Sequence, residues 1–222
     1  MSFAEAINTV LHEEYPTAWS IDQFKAMRSF AKRKAYCDAR LKTRLGSGSA
    51  RIVYQIDNEK VMKLAANAKG LSQNEQEHDL YNDGYLVNNP ARQLLAKVFA
   101  ADTEGWTWLE MELVGHASSA DFKQYFGIEY KDFVDVITYW GRSLHGGSQP
   151  GPKPAAWEEL NENPDKHPWW KWITDIGNNF DYEPADWKRL SSWGKTADGR
   201  LVLIDFGLTS DVYQKHYASG KK

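Results

Sequence analysis

The sequence predicts an α+β chain in two parts, a β-rich part over residues 42–114 and a mainly helical part over 115–222, preceded by a helical segment at 1–41. Three observations predict it. Up to about residue 40 the apolar residues recur at helical spacing. From residue 42 the pattern becomes short extended runs divided by polar turns, with one helix between the third and fourth runs. Beyond residue 115 it is helical again until a last strand, Arg200-Leu-Val-Leu-Ile204. A chain of 222 residues suits one domain or two small lobes.

Each element has its own signal. Ser2-x-x-Glu5 and Ser20-x-x-Gln23 are capping boxes, the second ahead of Ile21, Phe24, Met27 and Ala31 at helical spacing. The other face of that helix carries Lys25, Arg28, Lys32 and Arg33, a solvated face or an anion- or partner-docking surface. Leu45-Gly-Ser-Gly48, Ile52–Ile56 and Val61–Ala65 read as strands, the last two joined at Asp57-Asn58. Ser72-x-x-Glu75 opens a short helix to about Asn82, and strands follow at Leu95–Ala101 and Thr107–Val114 around Glu104-Gly105. Tyr130–Leu144 sets Phe133, Val136, Ile137, Trp140 and Leu144 on one helix face. Five of the eight prolines crowd into 150–168, marking a long irregular loop, and Pro168 starts a helix to about Ile176.

Composition excludes several classes. Against 30 Asp+Glu stand 27 Lys+Arg, a net charge of −3, so no basic excess suggests nucleic acid. The one cysteine, Cys37, forms no intrachain disulfide and fits a reducing compartment. The segment from Met1 to Leu11 lacks the basic start and apolar stretch of a signal peptide, and no run reaches the roughly 18 apolar residues of a membrane helix. A cytoplasmic location is expected. The histidines and lone cysteine show no zinc-site spacing, and His145 beside Gly146-Gly147 reads as loop. Six of the ten tryptophans, at 157, 169, 170, 172, 187 and 193, crowd one region and are expected mostly in the core, the alternative being an exposed partner patch.

Four motifs carry chemistry. The turn Gly46-Ser47-Gly48-Ser49 would let backbone amides approach phosphate oxygens without a side chain intervening. Lys63 lies in the apolar run Val61-Met-Lys-Leu, and the following helix offers Glu75 and Glu77 as counter-charges. Glu77 is preferred because Glu75 has a capping role. Asp205-Phe-Gly207 places a carboxylate at a strand end, where it can hold Mg²⁺. Asp186-Trp-Lys-Arg-Leu-Ser191 lies nineteen residues earlier.

In this order, with Trp108-Leu-Glu-Met-Glu-Leu-Val114 before the helical part, the motifs resemble the protein-kinase fold, over roughly residues 42–210. The resemblance implies a two-lobe architecture with a β-rich small lobe and a reduced, mainly helical large lobe. It implies ATP and Mg²⁺, with Val53 in its place after the glycine-rich turn and Lys63 and Glu77 as the phosphate-gripping pair. Met111 would gate the back pocket, and backbone around Glu112 and Val114 would bind adenine. Asp186 would be the base, with Asp175 a rival near Asn178 and Asn179, and Lys188 would neutralise the transferred phosphate. Asp205 would hold metal, with Ser191 or Ser192 where the family has asparagine.

The departures shape the functional expectation. Arg51 occupies the third glycine position, Pro184-Ala185 replaces His-Arg before Asp186, and no Ala-Pro-Glu follows Gly207, so the family's peptide-binding helices are expected to be missing. The first expectation is a phosphotransferase resembling a Ser/Thr kinase, acting on a protein or small-molecule hydroxyl. The second is a pseudokinase that binds and inhibits a host or partner protein, and the third is AMP transfer. Surface left exposed on the reduced large lobe makes a homodimer reasonable. The Gly-Ser-Gly-Ser-Ala-Arg hairpin is also similar to small kinase-like proteins of tailed phages.

Overall fold

A computed structural model describes residues 19–41, 43–144, 151–182 and 184–218. The capping box at Ser2 and the loop at His145 lie outside them. The chain divides into two compact units. The first runs to Asn74 and includes Val98–Leu113; the second comprises Glu75–Lys97 and the chain from Val114 onward.

The first unit is built on a five-stranded antiparallel sheet. Its strands β1 (Arg44–Ser47), β2 (Arg51–Gln55), β3 (Lys60–Ala65), β4 (Val98–Ala101) and β5 (Trp108–Glu112) lie in the order β1-β2-β3-β5-β4. Register sorts their side chains onto two faces. Ile52, Tyr54, Met62, Leu64 and Trp108 are buried in one core with Phe24, Tyr36 and Cys37 of the two N-terminal helices. Those helices, α1 (Ile21–Lys25) and α2 (Phe30–Arg40), replace the single helix expected from Ser20. The Ser20 hydroxyl accepts the Gln23 amide as expected, but Ser29 recaps the chain by accepting from Lys32, so the helix stops and restarts. Tyr54 then donates to Asp38 at 2.7 Å, fastening α2 to β2.

Helix α3 (Ala68–Asn82) begins four residues before the expected start. Asn67 caps it, its side-chain oxygen accepting from Lys69 and Gly70, so Ser72 and Glu75 lie inside the helix rather than forming a capping box. Gly70 is required there, because an added Cβ would come within 2.3 Å of the Ala50 carbonyl oxygen. The buried side of α3 is polar over most of its length, with Ser72, Gln73, Asn74 and Glu77 all enclosed ahead of the buried Leu80. A helix that buries polar groups gives up hydrophobic stabilisation, and such departures from patterning concentrate at functional sites.

The second unit is mainly helical. After α4 (Gly84–Val87) and a 3₁₀ turn at Pro90–Leu94 come the two-residue strand β6 (Gly115–His116) and helices α5 (Ser119–Phe126), α6 (Tyr130–Leu144), α7 (Ala155–Glu162) and α8 (Pro168–Asn179). The short helix α9 (Pro184–Trp187), strands β7 (Trp193–Lys195) and β8 (Leu201–Leu203), and α10 (Ser210–His216) complete it. Strands β6, β7 and β8 form a second antiparallel sheet. The expected irregular loop at 150–168 contains α7, because its prolines flank the helix at 152, 154 and 164 and Leu160 finds a buried site.

Aromatic rings hold this unit together. Phe122, Phe126 and Phe133 pack against Trp193, and Trp169 meets Phe126 and donates to its carbonyl at 2.9 Å. Fully burying each such side chain is worth roughly 1.5–3 kcal/mol. Trp169, Trp170, Trp187 and Trp193 are buried and Trp157 and Trp172 half-buried, so the tryptophan-rich region is core, with no exposed indole among these six.

Lys195 on β7 holds Asp121 of α5 at 2.7 Å. The Lys195 ammonium, and then the Ser118 hydroxyl and amide, pull the Asp121 carboxyl down to about 2. A folded-state value below the ordinary one of about 3.9 means the contribution is present above pH 4 and is lost as pH falls toward 2. Urea midpoints are therefore expected to fall more steeply over that window in the natural protein than in Asp121→Asn. Parallel profiles would remove the role assigned to this pair.

Candidate active site

The glycine-rich turn joins β1 to β2. A Cβ built on Gly46 or Gly48 meets nothing within 4 Å, so the space over both is open. Ser47, Gly48 and Ser49 are exposed and Gly46 is half-buried. The Gly48 amide donates to the Arg51 carbonyl at 2.9 Å to close the turn, and Asn67 donates to the Ser49 carbonyl at 2.7 Å. The turn is thus tied to the start of α3 on one side and to β2 on the other.

Lys63 is 5% exposed in the middle of β3, paired across the sheet with Val53 and Leu109. Met111 is buried opposite Val61, two residues from Lys63 on the same face. Glu112 ends β5, and the division between the two units falls between Leu113 and Val114. Val114 is half-buried and packs over Gly194 of β7, where a Cβ would lie 2.1 Å from its methyl group. One sheet therefore assembles the turn, Val53, Lys63, Met111 and Glu112.

The second unit assembles the other residues. Glu77 is fully buried, and its carboxylate accepts from the Phe206 amide at 3.3 Å, at the residue after Asp205. Asp205 is half-buried where β8 has ended, and its carbonyl accepts from the buried Tyr182 hydroxyl at 3.0 Å. Glu75 is half-buried. Of the two candidate helix carboxylates, it is Glu77 that bonds the Asp205-Phe-Gly207 segment.

Asp186 lies in α9 and is 3% exposed. The Arg189 guanidinium stands 3.3 Å from its Oδ1, close enough for charge attraction and not aligned as a hydrogen bond. The loop is positioned from both sides. Pro184 packs on Gly141 of α6, where a Cβ would meet the ring at 2.9 Å, and Tyr130 donates to the Lys188 carbonyl at 2.6 Å. The Lys188 side chain is half-buried. Ser191 is exposed, whereas Ser192 is buried directly before β7 and its carbonyl accepts from Ile204, one residue before Asp205. Asp175 lies on α8, its carbonyl accepting from Asn179.

Among the described residues no cluster of three or more His, Cys, Asp and Glu side chains could hold a metal. Mg²⁺ does not need one, since it binds through one or two carboxylates with water and substrate phosphates. Asp205, half-buried just past β8, is a single carboxylate of that kind. No helix among the described residues is long and apolar enough to cross a membrane.

Two residues of this region carried no sequence signal. Asn74 stands in a polar helix run and Tyr182 in an irregular segment, and only their bonds to Trp106, Lys63 and Asp205 reveal them. Asn67 was legible in principle, as an Asx residue ahead of a helix.

The fold is α+β, with an antiparallel five-stranded sheet, a helix between its third and fourth strands in the chain, and a mainly helical second unit that carries Asp205 just past its last strand. No protein-family model and no curated protein matches the sequence. Three chains of solved structures match. One, the structure of the streptomycin-ATP-APH(2")-IIa ternary complex, aligns at 17% identity with a TM-score of 0.32, over 55% of this chain and 42% of that chain.

Proposed function

We propose that the chain is an ATP-dependent phosphotransferase that moves the γ-phosphate to a hydroxyl of a protein Ser/Thr side chain or a small molecule. The observation that carries the reading is the buried Glu77 carboxylate bonded to the Phe206 amide beside Asp205. A fully enclosed carboxylate costs several kcal/mol of desolvation, and its use here is to seat the strand end that presents Asp205.

In this reading residues 42–114 form the nucleotide-binding part, with Lys63 and the glycine-rich turn on the phosphates and Met111, Glu112 and Val114 around adenine. The acceptor oxygen attacks the γ-phosphorus, the bond from that phosphorus to the β–γ bridging oxygen breaks, and ADP leaves. Asp186 takes the acceptor's proton, and Lys188 balances charge on the transferred group. Mg²⁺ held by Asp205 would neutralise phosphate charge, and the surroundings of Ser192 favour it over Ser191 as the accompanying ligand. Positioning and charge supply most of the rate in such a reaction.

The test is incubation with Mg²⁺ and ATP labelled at either the γ or the α position, alone and with lysate, beside Asp205→Ala. Transfer of γ label that disappears in the variant supports the proposal. Transfer of α label would replace it with AMP transfer. ATP bound without transfer would favour the second reading, a pseudokinase that binds and inhibits a partner protein. One observation favours that reading: the base position, Asp186, is buried beside Arg189.

A further inference from the structure

Arg51 stands where the family pattern has its third glycine, and its surroundings give it a use of its own. It closes the glycine-rich turn through its carbonyl, so its side chain leaves the sheet immediately after that turn. Register pairs Arg51 with Ala65 and Val53 with Lys63, which puts the Arg51 and Lys63 side chains on one face as diagonal neighbours. Such neighbours have Cα atoms roughly 7–8 Å apart, within joint reach of one polyphosphate. Both side chains are more than nine-tenths buried, where charge is poorly screened and an anion is attracted strongly.

The guanidinium is held in place. Arg51 Nη1 donates to Asn74 Oδ1 at 3.4 Å. Asn74 is fully buried on α3, and its Nδ2 donates to the Trp106 carbonyl at 2.8 Å and the Lys63 carbonyl at 3.4 Å. Trp106 has a φ of 53°, a left-handed conformation that is rare for so bulky a side chain and persists where surrounding contacts enforce it. One buried amide therefore ties the residue after the turn, the backbone of Lys63 and a strained turn residue to a single helix position.

The geometry points to Arg51 as a second phosphate-binding cation of the nucleotide site, with Asn74 as the residue that positions it. This rests on the phosphotransferase reading and deepens it: the site selects a nucleoside triphosphate through two basic groups rather than through a third glycine. A fork of guanidinium donors suits phosphate oxygens better than a point charge does.

The experiment measures affinity for ATP and for adenosine in the full chain by titration calorimetry, at low and high salt. Arg51→Met keeps the apolar stem and removes the charge. It is expected to weaken ATP by tenfold or more, leave adenosine within twofold, and flatten the salt dependence of ATP binding. Arg51→Lys retains charge and is expected to lie between Arg51→Met and the natural protein for ATP. Asn74→Asp, which keeps an acceptor for Arg51 but loses both donations, is expected to weaken ATP more than adenosine. Equal loss of ATP and adenosine affinity in Arg51→Met, or loss of neither, overturns the role. If Arg51→Met does not fold, Arg51→Lys decides, since a purely packing role predicts equal loss of both ligands there too. A natural protein that binds adenosine and ATP equally, or neither, overturns the phosphotransferase reading and this role with it. ATP preference that is undiminished in Arg51→Met overturns this role alone.

Discussion

Asp186→Asn is expected to lower phosphoryl transfer by about 10²–10⁴-fold, the range for removal of a positioned general base, with ATP affinity unchanged. The substitution keeps size and shape. The contacts that place the loop, Pro184 against Gly141 and the Tyr130 hydroxyl on the Lys188 carbonyl, do not involve the carboxylate. The loss should therefore appear in kcat and not in nucleotide binding. Asp175→Asn, on α8, is expected to leave the rate alone. A full rate in Asp186→Asn would move the base elsewhere, and a large loss in Asp175→Asn would make the rival carboxylate the better choice.

Gly177→Ala is expected to destabilise the second unit, against its helix propensity. Gly177 lies within α8, where alanine would ordinarily gain about 1 kcal/mol over glycine. Here an added Cβ would sit 2.0 Å from Cη2 and 2.6 Å from Cζ2 of the Trp140 indole on α6. That indole is 5% exposed and packed edge-on against Trp170, so it has little room to retreat. Overpacking of this kind costs about 1–3 kcal/mol or more, and at such short distances the upper end applies. The net is a loss of about 2 kcal/mol, or about 1 M in urea midpoint for ordinary slopes. Trp140→Leu is expected to relieve the clash, so the double variant should lose less than the sum of the singles. A higher midpoint for Gly177→Ala would show that the two helices separate more easily than their contact implies.

Much of the fold was legible because short-range physics decides it. Helix α6 spans the predicted residues, since an apolar residue on every turn leaves one way to bury that face. Likewise, the three strands, the helix and the two strands of the β-rich part follow in the predicted order, because short extended runs are cut there by polar turn residues. Boundaries failed where two local signals competed. Ser72-x-x-Glu75 matches a capping box, yet Asn67 intercepts the helix one turn earlier because it can also reach the Ser49 carbonyl. The proline-rich stretch read as loop because proline breaks helices, whereas here Pro152, Pro154 and Pro164 bracket one.

The candidate site divides in the same way. Glycines, a lysine in an apolar strand and an aspartate at a strand end are recognisable in sequence because their types and order are unusual for structure alone. By itself the sequence determined the class of fold, the strand carrying Lys63 and the strand end carrying Asp205. Tertiary structure alone decided that Glu77, not Glu75, bonds the Phe206 amide, that Arg51 is buried against Asn74, and that Ser192 rather than Ser191 is enclosed beside the last strand. The reason is physical. Periodicity and turn chemistry act over a few neighbouring residues, whereas a hydrogen bond such as Phe206 to Glu77 spans 129 positions and exists only once packing has brought both ends together.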